Sequence, residues 1–338
     1  MTTLPAALPP RRAVVTGGTG FIGANLVRRL LDEDCAVHLL LRPGHDEWRI
    51  AAIRDRLAVH MLDIADPAAV RRVFRTVRPD CVFHLAAHGA YSWQRDAAAM
   101  QRVNLDATRV LAEAALALGV PGMVHAGSSS EYGRKAHAPD EDTPTEPEDD
   151  YGTTKAAATA FCRDFAAIHR LRLPTLRIYS AYGPWEDPRR LVPMLLTHAL
   201  EGRLPPLVDP RTARDFIAVE DVVEAFLLAA TRPLPEPGAI LNLGTGLQTR
   251  IEDIVALVRG MMAVEAEPRW NSMPARHWDT DTWVADNRRM ADCWSWHPPT
   301  TLADGLRRTV DWLRTTPEAL ARYRAASGTS TPASAGAG

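Results

Sequence analysis

The chain has 338 residues, 46% of them hydrophobic and 24% charged, with a formal net charge of −2. Such a composition excludes wholesale disorder, and without a basic block nucleic acid is set aside as a partner. No apolar run reaches membrane-spanning length, "MTTLPAALPPRR" lacks the apolar core of a signal peptide, and four scattered cysteines (Cys35, Cys81, Cys162, Cys293) form no CxxC pair. A cytoplasmic protein with reduced thiols, no bound metal and no membrane partner is therefore expected.

In chain order, the apolar "RAVVTGG" precedes the helical pattern "FIGANLVRRLLDED", followed by "CAVHLLLRP" and "RLAVHMLDI". "PAAVRRVFRTVRP" is a second helix, "DCVFHLAA" a further strand, and "NLDATRVLAEAALALGV" and "PGMVHAGSS" continue the alternation. Strand and helix in repetition, with strands apolar on both faces, predict parallel strands joined by crossovers. An acidic, Pro-rich surface loop (134–150) leads into the helix "YGTTKAAATAFCRDFAAIHR" and the strand "LPTLRIYSAYGP". After residue 184 prolines multiply; "RDFIAVEDVVEAFLLAA" returns to a helical pattern, and "AILNLGT" rejoins the main sheet. The expected organisation is one unit from 11–178 plus 216–246, a smaller lobe from 179–215 plus 247–325, and a small-residue, polar, disordered tail at 326–338.

"VVTGGTGFIG" places Gly18, Gly20 and Gly23 in GxGxxG spacing after a strand and at the opening of a helix. Glycines there let the backbone approach a pyrophosphate resting on the helix N-terminus, which identifies a Rossmann dinucleotide site. The second strand ends in Arg42 rather than an acid, with no carboxylate until Asp46. A guanidinium suits a 2′-phosphate, so NADP(H) is favoured; stacking on adenine, with NAD(H) equally accepted, stays open. Asp63 after the third strand suits the adenine edge and equally suits a helix cap.

Tyr151 and Lys155 stand four apart at the start of a helix, on one face. Lys155 is one of only two lysines in a chain with 39 basic residues, the other being Lys135. An ammonium beside a phenol favours the phenolate and lowers its pKa, which suits proton transfer near neutral pH. Chance spacing of an exposed pair is the alternative. Before them, "HAGSSSEYG" ends a strand in three hydroxyls, Ser128, Ser129 and Ser130.

Together, TGGTGFIG, HLAA, Asn104 in NLDAT, SSSEYG, YGTTK, LRIYSAYGP and RDFIAVEDVVEA resemble the extended short-chain dehydrogenase/reductases. More narrowly they are similar to the NAD-dependent epimerase/dehydratase family acting on nucleotide-diphosphate sugars, over about residues 11–315. The resemblance implies a Rossmann doubly wound parallel sheet with a smaller C-terminal substrate-binding lobe, and a homodimer through helices around 97–118 and 153–170, whose apolar faces packing on the sheet would equally explain. It implies Ser128, Tyr151 and Lys155 as the catalytic set. The cofactor would be lined by Gly17, Gly20, Phe21, Ile22, Gly23, Arg42, Asp63, Ile64, Leu85, Ala86, Ala87, Asn104 and Tyr179, together with Tyr151 and Lys155. A nucleotide-diphosphate sugar would meet His88, Trp93, Ser129, Ser130, Ser180, Arg190, Arg214 and Arg276, although Trp93 equally packs the lobe and Ser180 stands where the family usually has Asn.

In the family's 4,6-dehydratases an Asp and a Glu follow the catalytic hydroxyl; here Ser129 and Ser130 take those positions. Glu131 is one residue out of register and, in an extended segment, points the opposite way, unless a bulge restores it. Three reactions follow in order of expectation. The first is reduction of a nucleotide-linked 4-keto-6-deoxyhexose by NADPH with Tyr151 as proton donor, the segments "LLLRPGHDEWRI", "AAHGAYSWQ" and "SAYGPWEDPRRLVP" resembling CDP-paratose/CDP-abequose synthase-like 4-ketoreductases. The second is C4 epimerisation with NAD, and 4,6-dehydration or a non-catalytic dinucleotide sensor comes last.

Overall fold

In a computed structural model, residues 10–91, 93–273 and 279–328 are described. The first stretch runs β1 (Arg12–Thr16), α1 (Phe21–Asp32), β2 (Ala36–Leu41), β3 (Ala58–Met61), α2 (Pro67–Val77) and β4 (Cys81–His84). A composite helix follows, with α3 (Ala97–Met100), a π turn (Gln101–Asp106) and α4 (Ala107–Ala117), and then β5 (Met123–Ser128), α5 (Asp150–His169) and β6 (Thr175–Ile178). Beyond it lie β7 (Ser180–Tyr182), α6 (Leu191–Ala199), β8 (Ala213–Arg214), β9 (Phe216–Ala218), α7 (Val219–Thr231) and β10 (Ile240–Leu243). The chain closes with β11 (Thr249–Arg250), α8 (Ile251–Met262), α9 (Arg288–Trp294), α10 (Leu302–Thr315) and α11 (Pro317–Gly328).

Seven strands form one sheet in the order β10-β6-β5-β4-β1-β2-β3, every neighbouring pair parallel. This is the expected Rossmann arrangement: β1 pairs with β4 on one side and β2 on the other, which puts the topological switch point at the end of β1. The strands bury both faces because α1 and α7 cover one side and α2, α4 and α5 the other. One core gathers Val15, Leu26, Leu39, Phe83 and Phe226; the other gathers Val14, Phe74, Leu111 and Leu173. A separate core around Leu195, Phe216, Val255, Leu306 and Tyr323 sits under the later helices.

Two sequence expectations change in detail. "RDFIAVEDVVEA" begins as short strands before it turns helical, because β8 pairs with β11 and β9 with β7 outside the main sheet. The polar tail expected from residue 326 is helical through Gly328, with Ser327 Oγ bonded to Tyr323 O at 2.9 Å. Among the described residues, no helix is long and apolar enough to cross a membrane, and no cluster of three or more His, Cys, Asp or Glu could hold a metal.

Candidate active site

Parallel strands end at one edge, so the ends of β1, β2, β3, β4, β5 and β6 converge. That edge carries Gly17, Arg42, Asp63, Leu85 through Ala87, Ser128 and Tyr179, and so gathers the expected cofactor and shelf residues along one crevice.

Gly17 has φ +71°, and a Cβ there would lie 2.6 Å from Ala86 N; a Cβ on Gly23 would collide with the Gly17 carbonyl. Both positions require glycine, and the loop lies flat against the exit of β4. Gly20 is the N-cap of α1 and has no side chain to cap the first turn. The helix opening is thus a cradle for anionic oxygen, and the residues present fit a dinucleotide pyrophosphate. Phe21 and Ile22 are half-buried in that turn. Arg42 follows β2 directly and is exposed, its carbonyl accepting from His45 Nδ1 at 2.9 Å. Asp63 pairs with Arg102 at 2.6 Å, while Asp66, not Asp63, caps α2. Ile64 is half-buried beside it.

The shelf departs from the extended form expected. β5 ends at Ser128, and Ser129–Tyr132 close a 3-10 turn capped by Ser128, whose Oγ accepts from Ser130 N at 3.2 Å. Glu131 is thereby rotated inward and fully buried. Its Oε1 accepts from Ser128 N at 2.8 Å and from Thr159 Oγ1 at 2.9 Å; its Oε2 meets Arg177 Nε at 2.8 Å. No bulge returns this carboxylate to the shelf. Arg177 completes the anchor by lying 4.5 Å over the Tyr132 ring.

The Ser128 hydroxyl lies near the Tyr151 phenol and favours its ionised form. Tyr151 opens α5, whose N-cap Asp149 accepts from Gly152 N at 2.6 Å. Against the lowering expected from Lys155, burial pushes the Tyr151 pKa up to about 12, outweighing the opposite effect of Ser128, so the phenol is protonated at neutral pH. Lys155 is buried, not an exposed partner, and its Nζ donates to Ala126 O at 2.5 Å and lies 3.3 Å from His125 Nε2. Burial lowers its pKa.

Asn104, expected against cofactor, is buried and its carboxamide is spent elsewhere. Oδ1 accepts from His88 N at 2.8 Å, and Nδ2 donates to His88 O and Thr154 Oγ1, both at 2.9 Å. Asn104 lies within the π turn at 101–106, which offsets it from regular helical register. Asn104 therefore pins the loop after β4 to the catalytic helix.

On the outer side, Arg190 caps α6 and its charge acts on Tyr151. Trp93 is 46% exposed, stacked 4.7 Å from Tyr91 and 3.5 Å beneath the Arg189 guanidinium. Ser180 N bonds Asp215 O at 3.0 Å. Arg214 pairs with Asp279 at 3.2 Å and lies 5.6 Å from the Trp283 ring; Arg276 lies outside the described residues. Ser129, Lys135, His137, Tyr179 and Trp283 line a small cleft beside the shelf, and the buried Tyr179 hydroxyl has no partner among the described residues. Sequence reasoning missed Arg177, His125 and Glu186. For His125 the signal was present, a polar residue inside an apolar strand; for Arg177 and Glu186 nothing local set them apart.

Residues 13–244 match the model of the NAD dependent epimerase/dehydratase family. The UDP-glucose 4-epimerase of Mycolicibacterium smegmatis is 31% identical, over 90% of this chain and 98% of that one. The dTDP-glucose 4,6-dehydratase of Neisseria gonorrhoeae is also 31% identical, over 89% and 95%. Among solved structures, the Thermus thermophilus UDP-glucose 4-epimerase in complex with NAD superposes with a TM-score of 0.78 at 29% identity, covering 90% of this chain and 99% of that one. The glycine cradle, the serine shelf, Tyr151 and Lys155 on one helix, and these matches lead to one conclusion: the chain belongs to the NAD dependent epimerase/dehydratase family, the extended short-chain dehydrogenase/reductase enzymes of nucleotide-diphosphate sugars.

Proposed function

We propose that the site carries out oxidation and reduction at C4 of a nucleotide-diphosphate hexose without eliminating water, most directly as a C4 epimerase. The observation that carries this is the direction of Glu131. Dehydration across C5 and C6 needs an acid and a base beside the sugar; here Ser129 and Ser130 hold those positions, and the carboxylate of the shelf turn, Glu131, faces Arg177. The epimerase relatives favour inversion over net reduction.

A bound nicotinamide dinucleotide would supply the hydride acceptor and donor at C4. Gly17, Gly20 and Gly23 would hold its pyrophosphate, and Ala86 and Ala87 would flank it. Tyr151 would take the proton of the C4 hydroxyl and return it, with Ser128 donating to the same oxygen. Because the phenol is protonated in the free protein, it starts as a proton donor to a ketone, and oxidation needs the ammonium of Lys155 and the cationic cofactor to draw it toward phenolate. Arg190, Arg214 and Arg276 suit the sugar and diphosphate, and residues 179–215 with 247–325 would form the lobe that closes over the nucleotide.

Reduction of a 4-keto-6-deoxyhexose by NADPH is the second reading, favoured by Arg42 at the end of β2 where an acid would select NAD. Cofactor extraction from the purified protein, followed by chromatography of UDP- and dTDP-hexoses after incubation, separates the two. Retained NAD and a C4-inverted hexose support epimerisation, whereas NADPH consumption with a 4-keto sugar supports reduction. A 4-keto-6-deoxy product from an unmodified hexose overturns both.

A further inference from the structure

Two histidines interrupt apolar strands, His84 in β4 and His125 in β5. Both are buried, with ring centroids 5.7 Å apart. Hydrogen bonds fix the state of the first. Thr108 Oγ1 donates to Asn104 O at 2.7 Å, so His84 Nε2 donates to Thr108 Oγ1 at 2.9 Å and, in the neutral ring, His84 Nδ1 accepts from Thr16 Oγ1 at 2.7 Å, which also accepts from Ala86 N at 3.2 Å. His84 is neutral, its pKa held down to about 3 by burial and by the Lys155 charge.

His125 meets a different neighbour. Its Nδ1 is 3.2 Å from Thr175 Oγ1 and its Nε2 is 3.3 Å from Lys155 Nζ. An ammonium has donors only, so Nε2 must accept and the ring proton sits on Nδ1, donating to Thr175. The other acceptor for Nζ is Ala126 O. Neither acceptor carries charge. Around Lys155 stand His125 on β5, His84 on β4, Glu131 in the shelf turn, and Cys162 on its own helix. Burial holds both imidazoles neutral and raises the Cys162 thiol.

We propose that His125 is a positioning residue for Lys155: by accepting from Nζ, its Nε2 keeps the lysine charged and turned toward β5. A buried ammonium without that acceptor loses one of two compensating bonds and gives up its proton more readily. The consequence for catalysis rests on the C4 reading, in which the Lys155 ammonium draws Tyr151 toward phenolate. The bond itself is tested without that reading.

The chain has only two lysines, Lys135 and Lys155. Protein labelled with 13C at lysine Cε thus gives two NMR signals, assigned by Lys135→Arg, and Lys155 can be titrated directly in the full-length protein. In His125→Leu and the bulkier His125→Phe, the Lys155 midpoint is expected to fall by about one pH unit, one lost hydrogen bond to a buried charge. His125→Gln, whose amide oxygen can accept, is expected to recover most of that shift. A parallel fall in the alkaline limit of the turnover profile would tie the effect to catalysis. A folded Leu or Phe variant with a wild-type Lys155 midpoint overturns the inference, whatever reaction the enzyme performs. A moved midpoint with no turnover of any nucleotide sugar instead refutes the C4 reading and leaves His125 in place.

Discussion

The two loops that flank the reacting end of the site treat a buried carboxylate in opposite ways. In the shelf, Glu131 is fully buried and both oxygens are engaged, by Ser128 N, Thr159 Oγ1 and Arg177 Nε. The network extends outward, with Tyr132 Oη bonded to Asn242 Oδ1 at 2.8 Å and Asn242 N to Glu141 Oε1 at 2.7 Å. In the loop between β7 and α6, Glu186 is also buried, yet its Oε2 has no hydrogen-bond partner among the described residues and its Oε1 is 3.7 Å from Arg190 Nε. Burial raises its pKa to about 8. A carboxylate bonded through both oxygens fixes a loop; one held by a single long ion pair leaves its loop protonation-dependent. The shelf turns its carboxylate inward and leaves a run of hydroxyls at the end of β5, the feature on which the proposal of redox chemistry at one carbon rests.

The largest effect expected is on chemistry. Tyr151→Phe should lower turnover by about 10²–10⁴-fold, the usual worth of a positioned acid–base group, while dinucleotide affinity measured by NADH fluorescence stays nearly unchanged. Next comes the anchor of the shelf. Arg177→Leu leaves Glu131 buried and uncompensated, and should cost about 3–5 kcal/mol in urea unfolding. The double replacement of Glu131 and Arg177 by Leu should regain most of that stability but not the activity, because Ser128 N loses its acceptor. If the double variant is fully active, the shelf does not need its anchor and the contrast with the other loop weakens.

A smaller effect belongs to Glu186. Its folded pKa lies above the unfolded value, so the protein binds the extra proton when folded; that stability is complete below about pH 4 and is lost as pH rises through about 8. Glu186→Gln should flatten the fall, raising the melting temperature at about pH 9 relative to wild type while changing it little at about pH 5. An equal shift at both values would place the effect in packing and not in charge. The smallest change is expected from Arg42→Ala, which should weaken NADPH binding about tenfold and leave NADH alone. If both cofactors respond equally, Arg42 stacks on adenine and does not read a 2′-phosphate.

Much of the site was legible because its chemistry is local. The glycine loop, the Tyr151 and Lys155 spacing and the serine run each write their geometry over a few residues, and the parallel sheet brings their strand ends together. What escaped depends on partners far along the chain. Glu131 turns inward because Arg177, 46 residues later, waits on β6. Lys155 faces His125 and Ala126 because the sheet lies directly under α5, and Asn104 serves the backbone of His88 because a π turn shifts its register. Raised and lowered pKa values followed the same pattern: for Tyr151 the spacing indicated a lysine neighbour, but enclosure decided the sign.

The central claim, redox at C4 without loss of water, is tested most directly by incubating the enzyme and its cofactor with UDP-glucose and dTDP-glucose in D2O and analysing the recovered sugars by mass spectrometry and NMR. The account predicts C4 inversion with no change of mass, no deuterium at C5 and no loss of water. A product one water lighter, with deuterium at C5, would contradict it and return an acid and a base to a shelf that has neither.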